Sequence, residues 1–293
     1  MTSNHKPLKG IRVLSLSLNL PGPAALLRCK QMGATCVKLE PPSGDPMQHY
    51  QASAYLDLHA GIRVIQADLK RDSGQKVLQR ELRHADVLLT SFRPSALSKL
   101  GLGWRSVHRR YPALNMVSIV GATGAGAETP GHDLTYLADA DLVPGLELPA
   151  SLFADMGGAL MASEAVLAAL LQYKMTGKSS YHQVALSDSA SWLAHPRAWG
   201  LTQAKGVVGG AFAGYRVYAC KDGRVALAAL EPHFALSLCA VAGVSVATGA
   251  SSLKTLYSKS SHAVIAQWMG GKTRRQLETL ARQNDIPLTT LPA

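Results

Sequence analysis

The chain has 293 residues, 47% hydrophobic and 17% charged, a composition that excludes a disordered segment and supplies a core for one large domain or a large and a small one. Thirty Lys and Arg against nineteen Asp and Glu leave a formal net charge of +11, which points to an anionic partner. The basic residues are scattered, with short clusters such as 109–110 and 272–275, and no zinc-finger, basic-zipper or aromatic RNA-binding signature accompanies them, so a phosphorylated small molecule fits better than nucleic acid.

In chain order, IRVLSLSL (11–18) reads as a strand that ends at LPGP, and a helical pattern follows it. TCVKLEPP is a second strand stopped by two prolines, and IRVIQADL a third. RDSGQKVLQRELRHA has helical spacing, with Val77, Leu78 and Leu82 on its apolar side. DVLLTSF and NMVSIVG are the fourth and fifth strands, with SALSKLGLGWRSVHRRYPA between them as helix or loop and helix. Strands alternating with helices predict a parallel sheet of the doubly wound type. Beyond a Gly-rich break at 121–131, SLFADMGGALMASEAVLAALLQYKMTGK predicts a long helix ending near Gly177, and YHQVALSDSASWLAHPRAWG a further strand and helix.

From about Val207 the texture changes: GGAFAGYRVYACKDGRVALAALEPHF predicts two short strands around a Lys-Asp-Gly turn, and IPLTTL a closing strand. The reading is α/β, with a large domain over 1–200 and a small α+β domain over 201–293. The N-terminal MTSNHKPLKG has no apolar run of the kind a signal peptide needs. The most apolar stretch, 159–171, contains Glu164 and is shorter than the about 20 residues a bilayer requires, so no membrane partner is expected. Cys29, Cys36, Cys220 and Cys239 show neither a CxxC pair nor His/Cys metal spacing, so reduced thiols, a cytoplasmic location and no bound metal are expected. A GxGxxG turn, a Walker A sequence and a G-x-S-x-G elbow are all missing, which disfavours NAD, ATP and serine hydrolysis.

Three carboxylates and a histidine stand at element boundaries. His132 and Asp133 follow Pro130-Gly131 where a loop enters a helix; Asp133 reads as the helix cap, and His132 alone as a loop histidine. Asp155, in LFADMGGAL, is either a cap or a partly desolvated group tuned for proton transfer or attack, and Gly157 and Gly158 would let a ligand or another backbone come close. Glu231 is either a carboxylate favoured at a helix start or a site residue at a strand end. GGAFAG (209–214) is either a mobile loop or punctuation before the hairpin.

PLKGIRVLSLSLNLPGP, CVKLEPPSGDP, ADLKRDSGQKVLQREL, ADVLLTSFRPSALSKLGLG, PGHDLTYLA, FADMGGAL and YACKDGRVALAALEPHF together resemble, in order and over nearly the whole chain, the family III CoA-transferases and the related alpha-methylacyl-CoA racemases. The resemblance implies a Rossmann-like large domain, a small α+β domain, an interlocked homodimer and an acyl-CoA substrate with no further cofactor. It places CoA contacts on Lys38, on Ala67, Asp68, Leu69 and Lys70, on Phe92 and Arg93, and on Gly131, Asp133 and Tyr136. It also implies two chemistries. In the racemases a histidine and an aspartate matching His132 and Asp155, supported by a glutamate matching Glu231, move the α-proton of a thioester; in the transferases an aspartate matching Asp155 is a nucleophile. A third reading, from another class, is a shortened paralogue that binds CoA without chemistry. The sequence departs from the family at Ser15, Leu18, Pro41 and Ser91. It also ends at IPLTTLPA, where the resemblance leads one to expect a segment returning to the large domain.

Overall fold

The computed structural model describes residues 5–246 and 252–293; the first four residues of the polar N-terminus lie outside that range. The chain divides into two compact units, Met1–Ala194 and His195–Ala293.

The first unit is built on six strands: β1 (Arg12–Ser15), β2 (Thr35–Glu40), β3 (Arg63–Gln66), β4 (Val87–Thr90), β5 (Asn115–Val120) and β6 (Tyr181–Ala185). They are all parallel, in the order β3-β2-β1-β4-β5-β6. Val87, Leu88, Leu89 and Val117 are fully buried, as expected where helices cover both faces of a parallel sheet. The order reverses between β1 and β4, and crevices that take ligands form beyond the strand ends at such a reversal. The first strand is shorter than its apolar run. Leu16 still donates to the Leu89 carbonyl, but the Ser17 N–H turns to Ser15 Oγ at 3.1 Å and the Leu18 N–H to Ser91 Oγ at 3.3 Å, so hydroxyls peel the chain off the sheet.

The helix Phe153–Thr176 has 24 residues and ends at Gly177 in the left-handed conformation, where a residue without Cβ is favoured. It is longer than the 159–171 stretch and, by length and composition, is the one helix among the described residues able to cross a membrane. Here its small residues Ala154, Gly158, Ala159, Ala162 and Ala169 are buried in the core of the first unit, against the helices Pro21–Gln31 and Leu186–Leu193 and strands β5 and β6. Gly157 and Gly158 admit a neighbouring helix, not a ligand. A Cβ on them would lie 2.3 Å from Ser189 Oγ and 2.3 Å from Leu186 Cδ2, respectively.

The second unit carries β7 (Tyr215–Cys220), β8 (Gly223–Ala228) and β9 (Leu288–Leu291) as an antiparallel sheet in that order. Helices Pro232–Ala242, Lys259–Gly270 and Arg274–Asn284 accompany it, and Val225, Leu238, Ile265, Met269 and Leu277 form its buried centre. The GGAFAG segment is punctuation anchored in that core. Phe212 and Ala213 are buried, and the Ala213 N–H donates to the Leu256 carbonyl at 2.9 Å.

Candidate active site

Five loops leave the C-terminal ends of the parallel strands: 16–20 after β1, 41–46 after β2, 67–71 after β3, 91–93 after β4 and 121–132 after β5. Those after β1, β4 and β5, with the start of the long helix, enclose a cavity of about 180 Å³ lined by Asn19, Arg93, Thr129, His132, Tyr136 and Asp155 among others. That is below the roughly 300–1,000 Å³ of a whole-ligand pocket, so the cavity suits the reacting end of a larger molecule.

Asp155 is the third residue of the long helix and only partly exposed. Burial, then the neighbouring Asp133 carboxylate, push its carboxyl from the ordinary 3.8 up to about 6, against a smaller pull from His132. Its own backbone N–H donates to Asp133 Oδ1 at 2.9 Å.

Asp133 is therefore not the cap of its own helix. The cap position of Asp133–Asp139 belongs to His132, whose N–H donates to Thr135 Oγ1 at 3.1 Å. Asp133 lies one residue further on, buried, where its side chain reaches the first turn of the long helix and satisfies one of the N–H groups that a helix start leaves unpaired. The His132 side chain is exposed at the cap position of this helix. Tyr136 closes one wall. A Cβ at Gly131 would lie 2.5 Å from its hydroxyl and one at Gly121 2.4 Å, so both glycines make room for the ring. Burial, with Asp155 the next cause, raises the Tyr136 phenol above its ordinary 10.

Of the residues expected to meet a ligand, Gly131, His132, Tyr136, Arg93 and Asp155 line this cavity. Phe92, half-buried, precedes Arg93, and the Phe92 N–H donates to Thr90 Oγ1 at 3.2 Å. Ala67, Asp68, Leu69 and Lys70 form the turn after β3 on the same edge; Lys70 is exposed, and its N–H donates to Asp68 Oδ1 at 3.0 Å. Lys38 is not brought to the cavity. It is fully buried within β2, where its ammonium pairs with Asp45 and, at 3.0 Å, with Glu40. His59 holds it from a third side: Nδ1–H donates to the Tyr55 carbonyl at 2.6 Å, leaving Nε2 to accept from Lys38 at 2.8 Å. Glu231 lies in the second unit as the cap residue of Pro232–Ala242, its carbonyl accepting the Ala235 N–H.

The chain order hides several neighbours of this site. Asn19 and Thr129 line the cavity, and Glu128 ties the loop after β5 to the helix Pro94–Lys99 by accepting from Ser95 N–H at 2.7 Å and Ser95 Oγ at 2.8 Å. The available signal for Asn19 was its place two residues before Pro21-Gly22, since Asn enters the left-handed region more readily than most residues.

Sheet order and cavity define a doubly wound α/β protein with a partly buried carboxyl, Asp155, in a cavity beyond its strand ends. The sequence profile of CoA-transferase family III matches residues 8–292, and the chain belongs to that family. It is 29% identical to human alpha-methylacyl-CoA racemase over 245 residues, 78% of this chain and 62% of the racemase. It is 28% identical to human succinyl-CoA:glutarate CoA-transferase over 250 residues, 78% of this chain and 57% of the transferase. The crystal structure of the hypothetical protein Rv3272 from Mycobacterium tuberculosis superposes with a TM-score of 0.84 at 25% identity, covering 99% of this chain and 86% of that one. The chain spans between about half and two thirds of the length of the curated relatives it matches.

Proposed function

We propose that the protein racemises the α-carbon of a 2-methylacyl-CoA by 1,1-proton transfer, with Asp155 and His132 as the two acid/base groups. The observation that carries this reading is the partly buried Asp155 carboxyl, raised to about 6 beside Asp133 and lining one cavity with His132. The α-proton of a thioester is a weak acid, so one group must remove it while a second returns a proton to the other face. A carboxyl raised toward neutrality can serve in either direction. Glu231 enters the proposal through the family resemblance, and Glu231→Gln is expected to lower kcat less than Asp155→Asn or His132→Ala.

The scattered basic residues suit the phosphates of CoA, and exposed Arg93 at the cavity with Lys70 on the same edge are the proposed contacts. A homodimer is part of the reading. Exposed Phe153, Met156, Leu160, Leu167, Leu171 and Met175 recur along the long helix at helical spacing, a stripe suited to an apolar partner surface.

The test is incubation with a chiral 2-methylacyl-CoA in deuterated water. Racemisation predicts α-deuterium together with loss of configuration; the absence of both would contradict it. The second reading, CoA transfer with Asp155 as nucleophile, is favoured by the place of Asp155 in the cavity wall and by the transferase among the relatives. It predicts that hydroxylamine plus acyl-CoA inactivates the protein at Asp155. Binding of CoA with neither reaction would support a non-catalytic paralogue.

A further inference from the structure

Asn19 is one of three described non-glycine residues with positive φ, at 62°. Such a turn needs support, and Asp45 supplies it from behind. Fully buried, Asp45 accepts the Asn19 N–H at 3.1 Å on one oxygen and 3.2 Å on the other, and takes the Met47 N–H at 3.0 Å as well. Lys38 in turn clamps Asp45, and Glu40 and His59 complete the ammonium's shell. The charge of Lys38 is thus used inside the protein to hold the turn after β1.

The turn carries the Asn19 side chain to the cavity that holds Asp155 and His132. Its Oδ1 accepts the Tyr50 hydroxyl at 3.4 Å, while Nδ2 has no hydrogen-bond partner among the described residues. Two backbone donors of the long helix's first turn are already engaged. At the start of the long helix the Asp155 N–H is taken by Asp133 and the Met156 N–H by the Leu152 carbonyl.

We infer that the Asn19 carboxamide donates to the thioester oxygen of the substrate, and that Asp45, with Lys38 behind it, is a positioning residue for Asn19. The inference rests on the acyl-CoA reading above. When one base removes the α-proton, the C–H electron pair forms the Cα=C bond and the carbonyl π pair moves onto oxygen. The Asn19 N–H stabilises that oxyanion without giving up its hydrogen. A proton arriving at the other face of the α-carbon then restores the carbonyl.

The test compares wild type, Asn19→Gly, Asp45→Asn and the double variant. Glycine keeps the left-handed turn and removes only the carboxamide. Calorimetry with a 2-methylacyl-CoA thioester and with its thioether analogue, in which a methylene replaces the carbonyl, measures the preference for the carbonyl oxygen. Asn19→Gly is expected to abolish that preference while leaving thioether affinity unchanged, and to lower kcat for α-deuterium exchange on the order of 100-fold with little change in KM. Asp45→Asn is expected to lower kcat in the wild-type background and to add nothing in the Asn19→Gly background, the non-additivity of two residues acting through one contact. An equal thioester preference in wild type and Asn19→Gly overturns the inference. Wild-type binding without exchange counts against the racemase reading alone, and the binding comparison still decides Asn19. A wild type that binds neither compound overturns both.

Discussion

Asp45 and Asp155 both sit beyond the C-terminal ends of the parallel strands, yet their surroundings are opposite. Asp45 is fully buried and meets an ammonium and two backbone N–H groups. Asp155 is partly buried, has a second carboxylate as its charged neighbour, and gives its own N–H to that neighbour. Compensation makes the first a structural anchor, because a buried charge with matched partners is costly to disturb. Lack of compensation makes the second a group that can hold or release a proton near neutral pH.

The comparison breaks most severely at Lys38. Lys38→Met leaves Asp45 and Glu40 buried without their cation, and a loss of about 3–5 kcal/mol is expected in denaturant unfolding. Asp155→Asn should act in the reverse direction on stability while abolishing α-proton exchange. Because the folded carboxyl is raised from 3.8 to about 6, its ionised form destabilises the fold. That cost is absent below about pH 4, grows as pH rises through the interval, and is complete above about pH 6. The variant should therefore gain up to about 3 kcal/mol at pH 7.5 and nothing at pH 3.5, as read by denaturant unfolding at the two values. Gly131→Ala drives a methyl into the Tyr136 ring, and an overpacking loss of about 1–3 kcal/mol is expected in thermal unfolding. Asp133→Asn is the mildest change. It keeps an acceptor for the Asp155 N–H and removes the repelling charge, so the Asp155 carboxyl should move down from about 6 with little change in stability.

The strands were legible because each is a short apolar run bounded by Pro, Gly or a polar turn, and the long helix because its pattern of small and apolar residues has no Pro before Gly177. His132, Tyr136 and Asp155 were legible as site candidates through family motifs and sit together at one cavity. Asp133 was misread since the N–H it satisfies belongs to Asp155, 22 residues on, a pairing that no local capping rule contains. The family resemblance puts Lys38 among the CoA contacts. Only the fold brings Asp45 and His59 against it, from 7 and 21 residues away. Asn19 escaped because its one local signal, an Asn shortly before Pro21-Gly22, marks a turn without saying which cavity the turn faces.

The account stands on Asp155 being an uncompensated carboxyl, and carbon-detected NMR titration of that side chain measures it without any substrate. A midpoint near 6 that falls on Asp133→Asn substitution is the predicted result. A midpoint at the ordinary 3.8 in the wild type, unmoved by the substitution, would contradict the proton-carrier role.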